Sequence, residues 1–156
     1  MTDARPVLRR ARFADLTAAE VYGLCRLRID VFVVEQQCPY PELDGRDLEP
    51  ATEHFWFEAD GVPVATLRVL DDGAERAIGR VATASAWRGS GLAARLMEEA
   101  LVAYGDGPLH LGAQAYLEAW YERFGFRRSG GGYVEDGIPH VPMRREPGAL
   151  PDDQPG

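Results

Sequence analysis

Three consecutive stretches decide how this chain folds: Ile78-Gly79-Arg80-Val81-Ala82-Thr83-Ala84, then Arg88-Gly89-Ser90-Gly91-Leu92-Ala93, then the run on to Tyr104. The first reads as a β-strand. The last reads as an amphipathic helix: Ala93, Leu96, Met97, Ala100, Leu101 and Tyr104 recur at helical spacing, while Arg95, Glu98 and Glu99 point the other way. Between them lies a Gly-rich turn. A strand that feeds such a turn into a helix makes an anion site, because the first helical N–H groups lack intrahelical partners and carry the positive end of the dipole. Gly89 and Gly91 let the backbone come close to a phosphate, and Arg88 adds a permanent cation.

Six residues of this kind also describe an ordinary strand-to-helix turn, so the rest of the chain has to discriminate. Two other phosphate loops are excluded. There is no Gly-Lys-Ser/Thr for a Walker-type loop, and no third Gly followed by an acidic residue about twenty positions on.

The bulk composition narrows the field. The 156 residues form one domain with room for a substantial core, and 46% hydrophobic with 27% charged residues is ordinary for a soluble globular chain. The formal net charge of −8 argues against nucleic acid or an anionic membrane as partner and favours approach of cationic molecules such as amines. Cys25 and Cys38 form neither a disulfide framework nor a metal spacing, and His54, His110 and His140 are scattered, so no metal site is visible. With no signal peptide or long apolar run, the expected setting is a reducing cytoplasm.

On the N-terminal side, residues 1–6 read as a loose end and Val7 to Phe13 as an edge-like strand rich in arginine. Thr17-Ala18-Ala19-Glu20 is a capping box that starts a helix with Val21, Leu24, Cys25 and Phe32 along one side, which makes Cys25 a core residue rather than a nucleophile. Arg28 falls on the same stripe, either snorkelling to water or held at a cleft by acidic partners. Residues Val33 to Pro50 read as a polar, proline-containing loop long enough to be a functional lid. A hairpin follows, His54 to Ala59 and Pro63 to Leu70 around Asp60-Gly61, and Asp71-Asp72-Gly73 turns the chain toward Ile78.

On the C-terminal side, Gly105-Asp106-Gly107-Pro108 stops the central helix and Leu109 to Ala113 makes a short strand. Gln114 to Phe124 reads as a second helix ended by Gly125 as a left-handed cap. Phe126 opens another strand, Gly130-Gly131-Gly132 bends the chain, and Tyr133 to Arg145 finishes the sheet. Residues 146–156 read as a disordered tail, which leaves 7–145 as the domain. The order β-α-loop-β-β-β-α-β-α-β-β gives an α/β fold with a mixed sheet and helices on its faces.

Arg88-x-x-Gly91-x-Ala93 after a strand resembles the acetyl-CoA pyrophosphate loop of the GNAT N-acetyltransferases. Tyr121-Glu122-Arg123-Phe124-Gly125-Phe126 matches the Tyr that precedes a Gly-Phe pair in that superfamily, with Gln114 upstream. Within it the chain looks most like the ElaA-like branch. That likeness is carried by Arg28-x-x-Val31-Phe32-Val33-Val34-Glu35-Gln36, by Cys38-Pro39-Tyr40 with Asp44-Gly45 and Asp47, and by Glu135-Asp136-Gly137-Ile138-Pro139-His140 with Met143. The resemblance covers about residues 8–145. One departure is Ser85, which stands where many relatives have Pro.

The resemblance implies a mostly antiparallel mixed sheet flanked by helices and splayed at an acetyl-CoA slot. It implies that Arg88, Gly89, Ser90, Gly91, Leu92 and Ala93 hold the pyrophosphate, and that backbone groups of Val81, Ala82 and Thr83, with Gln114, hold the pantetheine arm and polarise the acetyl carbonyl. Tyr121 is then the general acid for the departing thiolate, set against its alternative as a buried helical aromatic. Val81, Ala82, Thr83 and Ala84 offer no carboxylate as general base, so the candidates are Glu35, Asp44, Glu135, Asp136, His54 and His140. Glu135, Asp136 and His140 share the last hairpin, where Asp136-Gly137 serves equally as a plain turn. No metal is required. The implied acceptor is a small-molecule or peptide amine, with a homodimer left open. Two rival readings stand beside this one: a non-catalytic acyl-CoA-binding module, and an acyltransferase with a longer donor, as in the GNAT-like autoinducer synthases.

Overall fold

A computed structural model describes residues 5–148, so residues 1–4 of the expected loose end and 149–156 of the expected tail lie outside the described residues. Strand β1 (Val7–Arg12) is followed by α1 (Ala18–Ile29), then β2 (Glu53–Ala59), β3 (Val62–Asp71) and β4 (Arg76–Thr83). Helix α2 (Leu92–Tyr104), β5 (Leu109–Gln114), the short α3 (Glu118–Glu122), β6 (Arg127–Arg128), β7 (Tyr133–Glu135) and β8 (Ile138–Arg145) complete the order. The sheet runs β1-β2-β3-β4-β5-β8-β6, with β7 on β8, and every pair is antiparallel except β4–β5.

Local chemistry explains the main elements. The capping box that starts α1 is closed both ways: Thr17 Oγ1 accepts from Glu20 N at 3.1 Å, and Glu20 Oε1 accepts from Thr17 N at 2.9 Å. Such a cap is worth about 0.5–2 kcal/mol. Asp60 and Gly61 both have positive φ (50° and 76°), the two-residue turn that matches the twist of the β2–β3 hairpin. Asp136 and Gly137 (49° and 78°) do the same between β7 and β8. The arginines of β1 occupy the sheet edge as expected, with Arg9 paired to Glu58 and Arg10 to Glu53.

Period-2 alternation divides the sheet into two faces. Leu67 and Val69 of β3 and Ile78 of β4 pack with Leu92, Leu96, Met97 and Ala100 of α2 in the main core. A smaller cluster joins Leu27 and Val31 of the first helix to Ala82 of β4.

Several sequence expectations need correction. The first helix does not end at Phe32: residues Asp30–Glu35 continue it as a π turn, so the long loop begins only after Glu35. The buried stripe is Leu24, Leu27, Arg28 and Val31, at ordinary helical spacing one position off the expected one, and Cys25 and Phe32 are half-buried. The helix expected over Gln114 to Phe124 is shorter. Gln114 is the last rung of β5, paired with His140, so the chain enters α3 through a 3-10 turn at Ala115–Leu117. The strand expected from Phe126 begins one residue later and is two residues long (β6), with Phe126 itself buried in the core. Gly125 does adopt the left-handed conformation (φ 90°).

Candidate active site

The site begins where two parallel neighbours part. β4 and β5 pair only at Arg76–Leu109 and Ala77–His110. Beyond these rungs each strand is held from outside, β4 by β3 and β5 by six rungs to β8. The facing edges from Ile78 and Leu111 onward therefore have no strand partner. Backbone donors and acceptors of this kind call for another partner, and an extended ligand lying between the strands supplies one.

β4 is also bulged here. Thr66 faces Ala82 and Arg68 faces Gly79, so Arg80 and Val81 together oppose Leu67. Arg80 takes φ 55°, a left-handed conformation that costs a non-glycine residue about 1–3 kcal/mol.

The slot leads to the N-terminus of α2. Gly89 and Gly91 have φ 82° and 79°, and a Cβ at either would meet nothing within 4 Å, so it is the left-handed conformation rather than crowding that calls for glycine. No side chain caps α2 and its first turn holds no acid, which leaves the amides of that turn open to an anion. The path into this loop is a 3-10 turn at Ser85–Trp87.

The surrounding cavity measures about 1280 Å³, larger than the ~300–1,000 Å³ of typical small-molecule pockets. Of the residues singled out in the sequence, Val81, Ala82, Thr83, Arg88, Gly89, Gly91, Leu92, Ala93, Gln114, Tyr121, Glu135 and His140 all line it. Ser90 does not. Its hydroxyl donates to the Trp87 carbonyl at 2.5 Å and so shapes the turn. Gln114 Nε2 donates to Gln36 Oε1 at 3.2 Å.

Tyr121 is buried, 7% exposed, with its ring edge-on to Trp120 (4.9 Å) and Phe126 (6.4 Å). Among the described residues nothing hydrogen-bonds its hydroxyl. Burial, helped by the nearby Tyr116, pushes the phenol well above its ordinary value near 10, so it keeps its proton.

The base candidates separate by geometry. His54 is buried away from the cavity against the Asp47 carbonyl (3.4 Å), and burial lowers its pKa. Asp44 is committed to Arg68 through two bonds of 2.6 and 2.9 Å, and the Arg68 hydrogen bonds, despite partial burial, hold it far below the usual carboxylate range. Glu35 pairs with Arg88. His140 remains. Its Nδ1 lies 2.7 Å from the Ile138 carbonyl, which can only accept, so Nδ1 carries a hydrogen and, in the neutral tautomer this selects, Nε2 is the free acceptor. The ring stacks on Tyr133 (centroids 5.5 Å apart), and Nε2 is 4.0 Å from Glu135 Oε2.

Sequence reasoning missed one feature. Arg28, Arg68 and Arg80 converge with Glu42, Asp44 and Asp47 beside the slot, and Arg28, Arg68 and Glu42 are each 3% exposed. Of the two readings of Arg28, the cation held by acids is the observed one. The signal was available in Val64-Ala65-Thr66-Leu67-Arg68-Val69-Leu70, an apolar strand run interrupted by a cation.

The family model described as "Acetyltransferase (GNAT) domain" matches residues 16–147. The chain belongs to the GNAT acetyltransferase family. A UPF0039 protein of Mycobacterium tuberculosis is 51% identical over 150 residues, 93% of this chain and 94% of that protein. Protein ElaA of Escherichia coli is 41% identical over 140 residues, 85% and 92% of the two chains. Among solved structures, an acyl-CoA N-acyltransferase from Pseudomonas aeruginosa superposes with a TM-score of 0.86 at 47% identity, covering 90% of this chain and 99% of that one. Escherichia coli ElaA gives 0.85 at 38%, covering 91% and 100%. The GNAT fold, the likeness to ElaA and an acyl-CoA cosubstrate thus follow. Among the described residues no cluster of His, Cys, Asp and Glu could hold a metal, and no helix is long and apolar enough to cross a membrane.

Proposed function

We propose that this GNAT protein is an N-acetyltransferase that moves the acetyl group of acetyl-CoA to a primary amine by direct attack in a ternary complex. The observation that carries this reading is the slot itself: unpaired edges of β4 and β5 run toward the uncapped N-terminus of α2, and the protonated Tyr121 lines the same cavity.

The amides of the first α2 turn, with Arg88, receive the pyrophosphate, and the open edge around Val81 to Thr83 pairs with the pantetheine arm. An amide of that edge polarises the acetyl carbonyl. The amine nitrogen attacks the carbonyl carbon, the C–S bond breaks, and Tyr121 protonates the departing sulfur. His140 Nε2 takes the amine proton, and the resulting imidazolium is stabilised by Glu135 at 4.0 Å. The phenolate then regains a proton from solvent or from His140, so protons balance over the cycle. Glu135 and Asp136, both exposed, draw a cationic amine toward the hairpin, in keeping with the net charge of −8, and the ammonium proton passes to solvent before the neutral amine attacks. A cytoplasmic setting, where acetyl-CoA is made, suits this activity.

The test is thiol release from acetyl-CoA with a panel of primary amines and the purified protein. Amine-dependent release supports the reading. Tight acetyl-CoA binding with no release for any amine favours a non-catalytic acyl-CoA-binding module instead.

A further inference from the structure

The bulge in β4 is held in an unusual way. Bulges whose first residue is left-handed normally place glycine there. Here Arg80 takes that conformation, although its neighbour Gly79 has an ordinary φ.

The side chain supplies what the backbone lacks. Arg80 Nε donates to Glu42 Oε2 at 2.5 Å, its Nη2 donates to the Glu42 carbonyl at 3.0 Å, and its guanidinium lies 5.7 Å from the centre of the Tyr40 ring. Glu42 is a firm anchor. It is 3% exposed, accepts from Arg28 at 2.8 and 3.1 Å, and accepts from the Tyr40 hydroxyl at 2.5 Å on its other oxygen.

We propose that Arg80 is a positioning residue for the acyl donor: clamped by Glu42, it holds the β4 bulge that decides which backbone groups of Val81 to Thr83 face the slot. The reasoning is one of parity. Along a strand successive amides point to opposite neighbours, and one extra residue reverses the assignment for everything after it. With the bulge, the stretch after Arg80 offers one set of amides to the β5 side; without it those amides turn toward β3. The polar loop between the first helix and β2, whose Tyr40, Pro41 and Asp44 line the same cavity, thereby acts on the donor slot. This inference rests on the acyl-CoA reading of the slot.

The experiment compares Arg80→Ala with Arg80→Gly. Both remove the guanidinium, but only glycine adopts φ 55° without strain. In an ordinary strand position glycine is the less stable of the two. At Arg80 the order reverses, so the Gly variant melts above the Ala variant. Calorimetry with acetyl-CoA at 25 °C, well below melting, reads the positioning role. Arg80→Ala weakens binding about tenfold, the loss of one or two amide hydrogen bonds, whereas Arg80→Gly stays within about threefold of wild type. Glu42→Gln weakens binding in the wild-type background and has no further effect in Arg80→Gly. Equal affinities for the Ala and Gly variants, or a Gly variant that melts below Ala, overturn the clamp. Wild-type protein that binds no acetyl-CoA overturns the reading of the slot, and the donor-positioning role with it, while the melting order still judges the clamp.

Discussion

Arg88 Nη2 lies 2.5 Å from Glu35 Oε2, so in the free protein the cation of the Gly loop is bonded to the end of the π turn. Arg88 Nε also donates to the Thr83 carbonyl at 3.1 Å, on the strand that lines the slot. A pyrophosphate arriving at α2 competes with Glu35 for this arginine. Both side chains are partly exposed, and exposed pairs are worth at most about 1 kcal/mol, or roughly fivefold in affinity. Glu35→Gln is therefore expected to tighten acetyl-CoA binding by up to about fivefold in calorimetry. Weaker binding would mean that Glu35 supports the donor rather than competing with it.

Tyr121→Phe keeps the ring against Trp120 and Phe126 and removes only the hydroxyl. General acid catalysis contributes about 10²–10⁴-fold, so turnover with any accepted amine should fall by that order while acetyl-CoA affinity holds. A rate within a few-fold of wild type would leave Tyr121 as a core aromatic.

Burial raises the Tyr121 pKa above its ordinary value near 10, so the donor proton is present throughout the range below that value. The rate should show no alkaline loss attributable to Tyr121 up to about pH 10. An alkaline limb below pH 10 that disappears in Tyr121→Phe would contradict this.

Acid stability follows from Asp44 and His54. The folded pKa of Asp44 is depressed, chiefly by its hydrogen bonds to Arg68, so its contribution is present above the ordinary value of 3.8 and is lost as pH falls below it. His54 is depressed by burial from 6.5, so its share starts to be lost as pH falls through 6.5. Denaturant melts should show stability declining from about pH 6.5 and more steeply below 4. Asp44→Asn should be less stable at pH 7 and lose less between pH 4 and 2. An Asp44→Asn acid limb as steep as that of wild type would contradict the assignment.

Much of this was legible in the sequence because it is local. The capping box at Thr17 and Glu20, the Asp60-Gly61 and Asp136-Gly137 turns, and the strand–Gly loop–helix at Arg88 are each written within a few consecutive residues. What escaped depends on distant partners. Arg28 meets Glu42 and Asp47 only after the long loop folds back, and nothing near Arg80 in the chain announces a left-handed residue in a strand. The π turn at Asp30–Glu35 was hidden because the apolar run Val31-Phe32-Val33-Val34 suits several helical periods. Gln114 reads locally as helix because its pairing with His140 lies 26 residues away in sequence, beyond any local pattern.

Gly91→Glu puts a side chain and a negative charge at the uncapped start of α2, where φ is 79°. Loss of acetyl-CoA binding is expected, with the fold retained by circular dichroism. Binding that survives within a few-fold would place the pyrophosphate elsewhere.

Titration of wild-type protein with acetyl-CoA, followed by calorimetry and by thermal melting, decides whether the slot between β4 and β5 holds an acyl-CoA donor. One molecule should bind per chain, and at about 100 times the dissociation constant the fold should gain about 2.7 kcal/mol, a rise of roughly 5–10 °C for a domain of this size. No heat of binding and an unmoved melting curve at saturating acetyl-CoA would contradict it.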